Sequence, residues 1–230
     1  SGPQSFVSLR GHALFLATTS GQRLATQLWR SDGRTTSLVI NLGSARGPSS
    51  SQLTTWRNHA FFATRDGTVW RTDGTKGGTQ ILLAPAPGYT VQEFAPVGAR
   101  LAFVCQHSAA DQLWVTDGTA LGTKMVSTGS ALTRIRQLFS WGDRLVFAGT
   151  TNAEGEELWI SDGTSTGTRL VHELVPGNAS GAPDGFTTAN GRVFFRTAGP
   201  HSDLWSSDGT TAGTARCESS KLLGEFWSTG

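Results

Sequence analysis

Charge is scarce in this chain. Of 230 residues, 19 are Lys or Arg and 17 are Asp or Glu, which leaves a net charge of +2 at neutral pH. That balance makes no electrostatic case for nucleic acid or an anionic membrane surface as a partner. No apolar run approaches the length of a membrane span, so membrane insertion is not expected. The only cysteines, Cys105 and Cys217, sit far apart in the chain and are read as unpaired, strand-buried thiols. Of five histidines only His12 and His59 recur in register, which gives a metal site little support. No nucleophile–His–acid set and no phosphate-cradling loop is present, so neither an enzyme nor a cofactor is expected.

What the chain has instead is repetition. The stretch Glu157-Leu158-Trp159-Ile160-Ser161-Asp162-Gly163-Thr164 has four counterparts, centred on Trp29-Arg30-Ser31-Asp32-Gly33, Trp70-Arg71-Thr72-Asp73-Gly74, Trp114-Val115-Thr116-Asp117-Gly118 and Trp205-Ser206-Ser207-Asp208-Gly209. The tryptophans are 41, 44, 45 and 46 residues apart. A period in the forties with several short strands per unit is the mark of a β-propeller.

In each unit the Trp strand ends at Asp-Gly, where Gly accepts a positive φ and the Asp carboxylate can take backbone N–H groups within the turn. The chain then returns as another strand. A hairpin precedes each Trp strand, as in Phe6–Leu9 with His12–Leu16 and Phe94–Val97 with Leu101–Phe103. Each repeat therefore supplies four strands, A to D, with the Trp on C. The expected fold is all-β: one five-bladed propeller of four-stranded antiparallel blades over 1-230, with blades near 4-47, 48-88, 89-130, 131-177 and 178-220. The five tryptophans are expected to anchor the packing between blades alike, each burying roughly 150–250 Å².

The A–B and C–D turns are short and uniform and fall on one face of the disc, while the B–C and D–A loops vary and fall on the other. Variable loops on a fixed scaffold are where function usually sits. The tail 221-230 looks like an extra A strand, either from a longer array or helping to close the ring.

Residues 156–168 resemble the bacterial Glu-Leu-Trp-x-x-Asp-Gly-Thr repeat proteins, secreted or surface-associated chains known from myxobacteria among others. Blade 1 departs most, with Arg34 where the other units have Thr and no second Gly-Thr. The resemblance implies a propeller and an extracellular or cell-surface setting, and no particular activity. In architecture, five repeats also look like the five-bladed lectin propellers of the tachylectin kind.

Candidate residues follow from departures from the repeat. Asp32, Asp73, Asp117, Asp162 and Asp208 are read as turn-formers, since calcium wants six to eight oxygens and each turn offers one carboxylate. Glu154, Glu156 and Glu157 are read as solvated charge. Trp56 and Trp141 end their A strands where other units have Leu9, Val97 and Ala189. They either stack on a sugar or fill the wide end of the core. On the variable loops, Tyr89, His107, Asp111, Asn152 and His201 are the remaining ligand-binding candidates. The expected function is a non-enzymatic, multivalent carbohydrate-binding module; the alternative is a protein-interaction or cell-surface scaffold that uses the loop face. The repeated units motivate the first, because several weak sites together give avidity.

Overall fold

The computed structural model describes residues 3–18, 25–43, 53–126, 132–198 and 203–217. These residues form five four-stranded antiparallel sheets, the blades of a β-propeller. Blade 1 is β1 (Gln4–Leu9), β2 (His12–Thr18), β3 (Thr26–Ser31) and β4 (Thr36–Gly43). Blade 2 is β5 (Thr54–Trp56), β6 (His59–Ala63), β7 (Val69–Thr72) and β8 (Gln80–Leu83). Blade 3 is β9 (Thr90–Val97), β10 (Arg100–Gln106), β11 (Gln112–Thr116) and β12 (Lys124–Val126). Blade 4 is β13 (Arg134–Trp141), β14 (Arg144–Thr151), β15 (Gly155–Ser161) and β16 (Arg169–His172). Blade 5 is β17 (Asp184–Ala189), β18 (Arg192–Arg196), β19 (Leu204–Ser207) and β20 (Ala215–Arg216). The extra A-like strand of the tail lies outside the described residues.

The core is a set of apolar seams between successive blades rather than one centre. Leu14, Leu16 and Leu28 of blade 1 meet Phe62 and Trp70 of blade 2. Phe61 and Val69 meet Leu101 and Phe103 at the next seam. Val104 and Val115 then meet Phe147 and Trp159, and Leu158 and Ile160 meet Val193 and Phe195. Within every blade the C-strand Trp is paired in register with a B-strand Phe, as in Phe147 opposite Trp159 and Phe103 opposite Trp114. The outer faces of the two end blades are more open: Phe6 is 60% exposed and Leu204 is 52% exposed.

The tryptophans are not equivalent, contrary to the uniform expectation. Trp159 and Trp70 are buried, while Trp29, Trp114 and Trp205 are half-buried. Gly149 explains the depth of Trp159, because a Cβ there would lie 2.6 Å from the indole. Trp29 and Trp114 instead rest beside Gln27 and Gln112, whose side-chain oxygens accept the indole N–H at 3.1 and 3.0 Å.

The Asp-Gly turns show why the motif has its spelling. Asp162 Oδ1 accepts the backbone N–H of Thr164 at 2.8 Å and its hydroxyl at 2.6 Å. The Thr164 hydroxyl accepts the N–H of Gly167, and the Ser161 hydroxyl accepts that of Gly163 and pairs with Thr168. The same set recurs around Asp73, Asp117 and Asp208. Hydrogen bonding to Thr hydroxyls, ahead of the backbone bonds, holds these four carboxyls below the usual carboxylate range. The second Gly is obligatory, since a Cβ at Gly167 would lie 2.1 Å from Asp162 Cγ. Blade 1 lacks it and runs a turn two residues shorter, with Trp29 opposite Leu38 where Trp70 opposes Ile81. Gly167→Ala is therefore expected to destabilise more than Asp162→Ala, which loses two neutral–charged bonds worth about 1–2 kcal/mol together. In a double-mutant cycle by denaturant melts, removing Asp162 should relieve much of the Gly167→Ala cost. Strict additivity would mean that the carboxylate is not what excludes a side chain.

Candidate functional site

On the face carrying the A–B and C–D turns, the Asp-Gly turns of blades 2 to 5 present their Gly carbonyls to the preceding blade. Arg30 donates to Gly74 O at 3.4 Å, Arg71 to Gly118 O at 2.7 Å, Arg100 to Gly163 O at 3.1 Å and Arg169 to Gly209 O at 2.9 Å. One link thus recurs at four seams, although the guanidinium comes from different strand positions. Arg30 and Arg71 follow the Trp, Arg100 opens β10 and Arg169 opens β16.

Two cavities open on this face. The cleft between blades 1 and 2, about 150 Å³, is lined by Arg10, His12 and Arg30 facing Asp73 and Gly74. The cleft on blade 4, about 160 Å³, is lined by Arg144, Ile160, Asp162 and Arg169. Both are small against the roughly 300–1,000 Å³ of drug-sized sites; the blade 4 cleft is mainly polar, while Leu9 and Leu14 give the other a largely apolar wall beside its charged groups.

Trp56 lies at the seam between blades 2 and 3, and Trp141 at that between blades 4 and 5, on the same face. Trp56 is half-buried, edge-on to Phe61 at 5.8 Å, with the Arg57 guanidinium 4.4 Å above its ring. Trp141 is half-buried at the seam between blades 4 and 5, where its ring, Ile160 and the Arg144 guanidinium converge on Gly209. Each indole packs one side against the seam and leaves part of its surface in water. His59, beside Trp56, has its pKa lowered by burial first and then by the charges of Arg71 and Arg10.

The loop face gathers fewer of the expected residues. Tyr89 stacks on His107 with centroids 4.7 Å apart, and its hydroxyl accepts Gln112 Nε2 at 3.0 Å. Asn152 is exposed on the adjacent blade, and His201 lies outside the described residues. Asp111 is not available to a ligand, contrary to expectation. It is 4% exposed, and its carboxylate accepts the Ile135 N–H at 2.9 Å with Arg134 3.6 Å away. It ties the blade 3 loop to the first strand of blade 4.

The reading of Glu156 and Glu157 as solvated charge is also overturned. Glu156 is buried against the Arg136 guanidinium, at 2.6 Å in its closest bond. Glu157 is fully buried and accepts backbone N–H groups of Leu174, Val175 and Gly181. Sequence reasoning missed a further pair on the inner strands. Glu93 and Gln137 occupy bulges with φ of 53° and 61°, from which their side chains accept the N–H groups of Leu138 and Gly185 in the following blade. Of the cysteines, both free, Cys105 is buried and its thiol pushed up to about 12 by desolvation, which leaves it unreactive at neutral pH.

No family model matches the chain, and no curated protein does. Among solved structures it is similar to oligopeptidase B from Leishmania major, at 12% identity and a TM-score of 0.59, over 94% of this chain and 33% of that one. It is likewise similar to a Mycobacterium tuberculosis puromycin-hydrolyzing peptidase, at 12% identity and a TM-score of 0.58, over 89% and 36% of the two chains. The computationally designed Ika8 protein matches at 14% identity and a TM-score of 0.56, over 94% and 61%. The chain thus spans about a third of the length of either peptidase. At these identities the likeness bears on fold alone, and the class it defines is the β-propeller.

Proposed function

We propose that the chain is a non-enzymatic binding propeller that takes carbohydrate at the seams between blades, on the face of the Asp-Gly turns. The observation that carries this reading is the recurrence there of one polar arrangement. Four seams bear an arginine bonded to a turn carbonyl, and at two of them a half-exposed indole, Trp56 or Trp141, stands beside it. An aromatic face with hydrogen-bonding groups at its edge suits the C–H face and hydroxyls of a sugar. Repetition turns weak individual sites into avidity. The resemblance to secreted repeat proteins supports an extracellular or cell-surface setting for such a module.

A second reading, a protein-interaction scaffold, is favoured by the Tyr89–His107–Gln112 cluster, a set of side chains peculiar to blade 3 of the loop face. A glycan array with red-cell agglutination separates the two. Trp56→Ala and Trp141→Ala are each expected to lower array signal and agglutination titre, and Tyr89→Ala to leave both unchanged. Absence of any glycan binding at high protein concentration, or loss confined to Tyr89→Ala, would reject the seam sites.

A further inference from the structure

The two faces of the disc handle charge differently. On the loop face four arginines are paired with acids: Arg136 with Glu156, Arg134 with Asp111, Arg196 with Asp184 and Arg216 with Asp203. On the turn face the seam arginines bond to neutral groups. Arg30 donates to Gly74 O and the Ser37 hydroxyl, Arg71 to Gly118 O and Gln80 Oε1, Arg100 to Gly163 O, and Arg169 to Gly209 O and Leu170 O. A guanidinium bonded to a carbonyl keeps its charge uncompensated. Each cleft also holds one turn carboxylate, Asp73 or Asp162, whose charge the bonds to its own Thr leave intact, so it offsets part of the cationic charge there. Arg192 of blade 5 is the departure, lying 3.9 Å from Asp208. Both cavities keep an excess of guanidinium over carboxylate: Arg10 and Arg30 against Asp73 at one, Arg144 and Arg169 against Asp162 at the other.

We infer that the seam clefts select anionic sugars, with a carboxylate or sulfate group of the glycan seated between Arg10 and Arg30 in one cleft and between Arg144 and Arg169 in the other. The inference rests on the reading of the seams as glycan sites and adds the chemical class of the ligand. A planar guanidinium pair matches an oxyanion bidentately, and a cleft partly closed to water strengthens the contact. The two clefts lie on one face of the disc, so a polymer with an acid on successive units can engage both.

The test is binding of polygalacturonate, dextran sulfate and neutral dextran to the whole chain by isothermal titration at two salt concentrations. Arg30 and Arg169 also join blades, so the variants are Arg10→Gln and Arg144→Gln, with Arg65→Gln on the loop face as a charge-matched control. At least about tenfold preference for an acidic polymer over neutral dextran is expected, weakened by salt. The Arg10→Gln/Arg144→Gln double variant should lose most of that preference while Arg65→Gln keeps it. Polygalacturonate and dextran sulfate separate carboxylate from sulfate recognition. Equal binding of neutral and acidic polymers overturns the inference but spares the glycan sites; no glycan binding at all overturns both. Duplex DNA bound as tightly as the acidic glycans, or equal losses in Arg65→Gln, would reduce the effect to unselective attraction and overturn it too.

Discussion

Replacing Trp159 with alanine is expected to cost about 3–5 kcal/mol, as fully buried aromatic deletions do. The side chain is 3% exposed, stacks on Phe147 with centroids 6.3 Å apart, and fills the seam between blades 3 and 4 beside Leu132, Ile135 and Leu145. Gly149 leaves nothing to collapse into the gap, because it has no side chain. Trp114→Ala should cost less, about half as much, since that indole is half-buried and loses only part of the area term. Trp159→Phe sharpens the test. The indole N–H of Trp159 is buried without a hydrogen-bond partner among the described residues, so phenylalanine removes an unmet donor while keeping most of the ring contact. Its cost should stay below about 1.5 kcal/mol. Denaturant melts of the three variants rank these effects; a Trp114→Ala loss equal to that of Trp159→Ala would mean that the two indoles are packed alike.

The contrast between Trp114 and Trp159 marks how far the sequence is legible. The blade repeat is plain in the spacing of Trp and Asp-Gly, because strand alternation and turn chemistry are local and act the same way in every copy. The turn role of Asp162 was equally readable, and the structure adds the hydroxyls of Ser161, Thr164 and Thr168 that make it specific. Depth of burial was not readable, because it depends on what the next blade presents. The position two before the Trp illustrates this. It is Gln27, Thr68, Gln112, Glu157 and Asp203 in turn, which looks like a tolerant surface site. In blades 1 and 3 the Gln serves the indole; in blade 4 the Glu turns away to the loop that follows this blade. The inner-strand bulges at Glu93 and Gln137 were hidden for a different reason. A positive φ at a residue other than Gly leaves no trace in composition, and the partner of each side chain is a backbone N–H in the following blade. The seam clefts were invisible for the same reason, since their arginines fall at three different strand positions and converge only in space.

Glu157 sets up the second large effect, and its pH dependence has a definite sign. The carboxylate is fully buried, and Leu174, Val175 and Gly181 direct backbone N–H groups at it, at 2.6, 3.4 and 3.2 Å. Burial pushes its pKa up and outweighs the three N–H bonds, which favour the charged form; the result lies at about 7 against an ordinary 4.5. A folded-state pKa above the unfolded one means that the group's contribution to stability is complete below about 4.5 and is lost as pH rises through about 7. The wild-type chain should therefore lose melting temperature across that window. In Glu157→Gln the group no longer titrates, so that part of the slope should vanish. The amide also sets an N–H₂ against backbone donors, for a loss of about 1–3 kcal/mol even at low pH. Glu157→Ala strands all three donors and is expected to cost on the order of 3–5 kcal/mol, with the segment 173–182 opening first to hydrogen exchange. Thermal melts of the wild type and Glu157→Gln at half-unit steps from pH 4 to pH 8 decide the matter. Parallel curves would show that Glu157 does not titrate in this range, and a Glu157→Ala variant melting within a degree of the wild type would show that the carboxylate does not hold the loop.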